Sequence, residues 1–169
     1  MQHCHQSQNT PTVSPARVKA LPNAVLLPEI VRLLSEGHTV TLGLRGFSMR
    51  PFLEDNRDKA LLARADSVQV GDAVLAEVKP GFYVLHRLVC MEGDEATLLG
   101  DGNLRCEHCS VADIKGVALG FYRKGRTVLD CTDGRKWRCY SFVWTHLRPL
   151  RRWLLAFYRR IWLPFFGPV

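Results

Sequence analysis

Three side chains in this chain could together carry out acyl transfer: Ser48, His86 and Asp101. A serine hydroxyl attacks a carbonyl only when a nearby base takes its proton. An imidazole titrates near neutrality, so His86 can accept that proton and hand it on to a leaving amine. A carboxylate at Asp101 can orient the ring and stabilise the imidazolium. Each residue also has a plainer reading. Ser48 could end any strand, a histidine in a strand is more often a hydrogen-bonded core or surface residue, and Asp101-Gly102 is a common hairpin signal.

The elements that must hold these residues are strands. Val40, Leu42 and Leu44 alternate with Thr39, Thr41 and Gly43, which predicts a half-buried strand that Pro51 stops just beyond Ser48. Tyr83 to Val89 predicts a strand with His86 and Arg87 set into an apolar run, and Ala96 to Leu99 a strand that runs into Gly100-Asp101-Gly102-Asn103. Further strands are expected over 59–63, 73–78, 116–122 and 127–129, separated by turn residues such as Val70-Gly71-Asp72 and Lys79-Pro80-Gly81. No helical pattern intervenes, so the fold class expected is mainly β with antiparallel sheets. A short helix precedes them: Leu27, Ile30, Val31 and Leu34 share a face, Pro28 suits its first turn and Gly37 its end.

At 169 residues the chain suits one domain with tails. The expected division is a polar tail over 1–22, a catalytic domain over 23–135 and a basic, aromatic helical segment over 136–169. No secretory signal pattern and no membrane span are apparent, so the expected location is cytoplasmic or peripheral at a membrane. The net charge of +7 favours an anionic partner, either nucleic acid or an acidic membrane surface.

The distribution of arginines bears on that choice. Over Arg148–Trp162 a helical projection puts Arg148, Arg152 and Arg159 opposite Leu150, Trp153, Leu154, Phe157 and Ile161. Such a helix fits a membrane interface, with Arg152, Trp153, Phe157, Arg159 and Trp162 as the contacts. Packing against protein fits the same pattern. Nucleic acid is not expected, because the aromatic residues lie opposite the arginines and do not interleave with them.

Six cysteines are scattered along the chain and read as reduced thiols. Cys106-Glu107-His108-Cys109 has the spacing of half a zinc site, but no second pair matches it, and a surface turn is the simpler reading. No metal or other cofactor is expected.

Taken in order, Gly46-Phe47-Ser48-Met49-Arg50-Pro51, Val70-Gly71-Asp72-Ala73-Val74, Val84-Leu85-His86-Arg87 and Gly100-Asp101-Gly102-Asn103 resemble the successive boxes of type I signal peptidases and the related LexA-like autoproteases. The resemblance covers about His38 to Phe121. With His86 in the base position the chain looks like the histidine subtype of that superfamily. The resemblance implies a serine endopeptidase acting on a leader or signal peptide, with Ser48 as nucleophile, His86 as base and Asp101 as the third member. It also implies an oxyanion hole that includes the Ser48 backbone N–H, and substrate contacts from Phe47, Met49 and Pro51. The serine hydroxyl that many members carry two positions before the nucleophile is replaced here by Gly46. A self-cleaving regulator of the LexA kind and a catalytically idle membrane-surface domain are the other functions considered.

Overall fold

The computed structural model describes residues 22–169, so the expected tail falls outside the described residues apart from Pro22. Eight strands form one antiparallel sheet. They are β1 (Val40–Gly43), β2 (Lys59–Ala63), β3 (Ala73–Lys79), β4 (Phe82–Glu92), β5 (Glu95–Leu99), β6 (Glu107–Ser110), β7 (Ile114–Tyr122) and β8 (Leu129–Cys131). Their order is β1-β2-β7-β3-β4-β5-β6, with β8 paired to β7. The strands expected from sequence are present within a few residues at each end. β6 was not expected at all: Glu107-His108-Cys109-Ser110 carries no apolar alternation to announce a strand. The Cys106–Cys109 stretch is therefore mostly strand where a turn was expected.

The sheet buries side chains on both faces. On one side Ala73, Leu75, Ala118 and Phe121 pack with Met49, Phe52 and Leu53 of the serine loop and with Ile30 and Leu34 of helix α1 (Asn23–Ser35). On the other, Val74, Ala76, Leu88, Ala96, Leu98 and Ile114 form a second cluster. Period-two alternation explains the division, since neighbouring residues of one strand go to opposite clusters. Helix α1 begins five residues before Pro28 and ends at a left-handed Gly37, whose N–H bonds Leu34 O at 3.0 Å.

The chain's second half ends in helices: α2 (Arg135–His146), a 3₁₀ turn over Arg148–Leu150, α3 (Arg151–Phe157), a π-helical turn over Tyr158–Trp162 and α4 (Leu163–Phe166). Helix α2 precedes the single helix expected over Arg148–Trp162 and docks on the sheet through Trp137, which meets Phe52 edge-to-face and Phe121 at a tilt, with ring centroids 4.7 and 4.8 Å apart. Arg151, Leu155 and Tyr158 turn inward, while Trp153, Phe157, Trp162, Phe165 and Phe166 stay in solvent. The hydrophobic stripe thus splits. Leu154 is half-buried, whereas Leu150 and Ile161 stay exposed with most of the aromatic residues, and the buried Leu155 lies outside the stripe. Among the described residues no helix is long and apolar enough to cross a membrane.

Candidate active site

Strand β1 runs out at Gly43, and the loop that follows turns at Gly46, whose φ is +89°. That conformation suits glycine and strains any side chain, so the position two before Ser48 is held open by backbone geometry. Asp55 Oδ1 accepts the Gly46 N–H at 2.7 Å and fixes the turn. Ser48 is half-buried, and its backbone N–H donates to nothing among the described residues, which leaves it available to a developing oxyanion.

The Gly100-Asp101-Gly102 segment supports this loop from below. Gly102 N–H donates to Ser48 O at 2.7 Å. A Cβ on Gly100 would stand 2.5 Å from Ser48 O and 3.0 Å from His86 Nε2, and one on Gly102 would stand 2.6 Å from Phe47 O. Both glycines are needed because backbone passes where a side chain would be. Arg159 Nη2 adds a bond to Gly102 O at 2.8 Å, so this arginine, expected at a membrane, is engaged with the serine loop's support.

His86 lies on β4, 3% exposed. It lines a small cavity of about 130 Å³ together with Ser48, Leu44, Met49, Leu53 and Leu85. Of the three expected substrate contacts, only Met49 lines this cavity. Phe47 is exposed with the Arg50 guanidinium 4.0 Å above its ring, and Pro51 faces a different cavity. Among the described residues no hydrogen bond joins Ser48 Oγ to the His86 ring. The two share the cavity without yet being coupled, as apo sites often are.

The third member differs from expectation. Among the described residues no hydrogen bond or ion pair joins Asp101 to His86. Its carboxylate takes both forks of the Arg87 guanidinium, Nε to Oδ1 at 2.9 Å and Nη2 to Oδ2 at 2.7 Å, and accepts from Tyr140 Oη at 3.1 Å. The group at His86 Nδ1 is Glu107, whose Oε2 is 2.6 Å away as a close ion-pair contact; neither atom has a hydrogen-bond partner of good geometry among the described residues. Register decides this. Leu88 pairs with Leu98 and Leu98 with Glu107, so Glu107 rises on the face that Leu88 and His86 share. Arg87 pairs with Leu99, and Asp101, two residues on, falls on the Arg87 face. Sequence reasoning missed Glu107 because it sits on the one unannounced strand.

Burial pushes the His86 imidazole below its ordinary value, and the Glu107 carboxylate, with a smaller pull from Asp101, raises it only part of the way back. The shift favours the neutral ring, the form a general base needs. Burial also pushes the Tyr140 phenol well up, with Asp101 adding to it, so Tyr140 remains a donor to that carboxylate.

Among the described residues no group of three or more His, Cys, Asp or Glu is placed to hold a metal ion. Cys90, Cys106, Cys109 and Cys139 are free thiols. In comparisons with known proteins, no family model matches the chain and no curated protein is significantly similar to it.

Proposed function

We propose that the protein is a serine endopeptidase of the Ser-His type, resembling type I signal peptidases and LexA-like autoproteases, that cleaves a leader or signal peptide. The observation that carries this reading is the cavity shared by Ser48 and His86, with Glu107 on the far nitrogen of the ring. In the reaction, Ser48 Oγ gives its proton to His86 Nε2 as it attacks the scissile carbonyl carbon. The oxyanion is held by the Ser48 N–H, and Glu107 stabilises the imidazolium. His86 then protonates the leaving amine, the peptide bond breaks, and water delivered by the same base hydrolyses the acyl-enzyme.

The sheet supports an extended substrate. Strand β4 pairs with β5 only from Arg87 onward, so Phe82 to His86 present a free edge beside the cavity, and β1 is itself an edge strand. A peptide strand added there would meet Ser48 with a small side chain in the apolar pocket of Leu44, Met49, Leu53 and Leu85. Contact with a membrane surface is proposed for Arg152, Trp153, Phe157 and Trp162, all solvent-exposed.

A fluorophosphonate probe tests the reading. Labelling of the wild type but not of Ser48→Ala, together with Ser48-dependent cleavage of an alanine-containing leader peptide, is the expected result. Equal labelling of both proteins, or none of either with no cleavage, overturns it.

A further inference from the structure

Behind the serine loop, two basic cavities meet at Arg126. One, of about 590 Å³, is lined by Pro51, Phe52, Arg123, Lys124, Lys136, Tyr158 and Trp162 among others. The second, of about 410 Å³, contains Arg57, Lys59 and Tyr122. The acids nearby are already engaged: Asp58 binds Arg57 at 2.8 Å, and Asp130 lies 3.4 Å from Lys136 and 3.6 Å from Arg123. Arg57 Nη2 is further occupied by Val169 O at 2.9 Å. Among the described residues the side-chain cations of Lys124 and Arg126 have no hydrogen-bond or ion-pair partner, and both are exposed.

Three features point to a ligand. The β7–β8 hairpin concentrates positive charge around cavities and leaves part of it unneutralised. Tyr158, 7% exposed, is part of the wall, and its hydroxyl is buried without a hydrogen-bond partner. Tyr158 also begins the π-helical turn, an irregularity that is frequent at functional sites. At the rim the charge gives way to aromatic surface. Trp162 packs on Phe166 with centroids 4.7 Å apart, and Phe165 and Phe166 are 77% and 70% exposed.

We propose that this basic cavity binds the phosphate of an anionic phospholipid headgroup, held by Lys124, Arg126 and the Tyr158 hydroxyl, with Trp162, Phe165 and Phe166 in the acyl boundary. Charge complementarity selects the anion. The apolar rim selects a lipid over a soluble phosphate. Nucleic acid fits less well, because the aromatic rings stand at the edge of the charged surface and do not alternate with the cations. Pro51 and Phe52 follow Ser48 by three and four residues, so the headgroup would sit on the back of the serine loop. This inference rests on the membrane contact proposed above and adds a specific headgroup site to it.

Vesicle flotation of the full chain separates the two ideas. The wild type should partition onto phosphatidylcholine vesicles containing 30 mole per cent phosphatidylglycerol, on the scale set by about a fivefold gain per basic residue at the surface. Lys124→Gln with Arg126→Gln should lower that partition about 25-fold. Tyr158→Phe, which keeps the ring and removes the hydroxyl, should lower it by a smaller factor. Loss of binding to both anionic and neutral vesicles in the wild type removes the membrane reading and this one together. Wild-type binding that ignores phosphatidylglycerol, or that the double substitution leaves unchanged, overturns the headgroup site alone and leaves membrane contact standing. Saturable binding of glycerophosphoglycerol with no vesicle preference overturns the lipid assignment in favour of a soluble phosphate. Competition by a single-stranded oligonucleotide stronger than by anionic vesicles overturns it in favour of nucleic acid.

Discussion

His86 and Arg87 are neighbours on β4, each is buried, and each faces a carboxylate, yet the two pairs are built for opposite ends. Arg87 is locked. Beyond Asp101 its Nη1 donates to Gly71 O at 2.8 Å and Ser141 Oγ at 2.6 Å, and its guanidinium lies over Trp137 at 4.8 Å. The Asp101 backbone carbonyl accepts from Trp144 Nε1 at 3.2 Å. Burial would disfavour the guanidinium's charge, but Asp101, Tyr140 and Asp72 together raise its pKa instead. His86 has one partner, a glutamate whose side chain is one-third exposed, and a ring whose pKa moves down. A network satisfied on every side fixes a loop, whereas a singly held imidazole can gain and lose a proton. The resemblance to peptidase boxes runs through both pairs, but only one of them has the properties of an acid-base centre.

The largest effect that would break this contrast is on turnover. His86→Gln should lower kcat/KM on a leader peptide by about 10⁴-fold, with the far-ultraviolet circular dichroism spectrum unchanged. Near-wild-type turnover would place the chemistry elsewhere. Asp101→Ala should act mainly on stability, lowering the unfolding free energy by about 3–5 kcal/mol because it leaves Arg87 buried and unpaired; urea denaturation measures it. A variant that keeps its stability and loses only kcat would restore Asp101 to the catalytic role.

Glu107→Gln is expected to show the reverse pattern. We expect kcat to fall about 100-fold, within the range of general acid-base contributions, with a smaller loss of stability than in Asp101→Ala. The smallest effect is on pH dependence. The wild-type acid limb of kcat/KM should lie below the ordinary histidine value of about 6.5, because burial lowers the folded pKa. The sign for stability follows from the same shift. Folded His86 binds fewer protons than the unfolded chain, so stability drops as pH falls from about 6.5 until the folded pKa is reached. Glu107→Gln removes a charge that raises the ring's pKa, so its acid limb should move lower still. An upward move would show that Glu107 does not act on the ring.

How much of this was legible in the chain varies by element. The alternation at Val40-Thr41-Leu42 and the turn residues around each run gave most of the strands, because side-chain period and turn chemistry are local. The face-by-face reading of the last segment found the exposed Trp153 and Phe157 and assigned Arg159 to a membrane surface, but it did not foresee the bond from Arg159 to a carbonyl of the Gly102 loop. Contacts between segments 57 residues apart leave no local pattern.

The sequence by itself determined that Ser48 follows a half-buried strand, that His86 stands within an apolar one, and that Asp101 lies in a glycine-flanked turn, since residue type and spacing dictate each of these. Only the tertiary structure decided which carboxylate meets the imidazole. Strand pairing sends alternate residues to opposite faces, so one step along β4 separates His86 from Arg87, and the registers of β5 and β6 bring Glu107 to the first and Asp101 to the second.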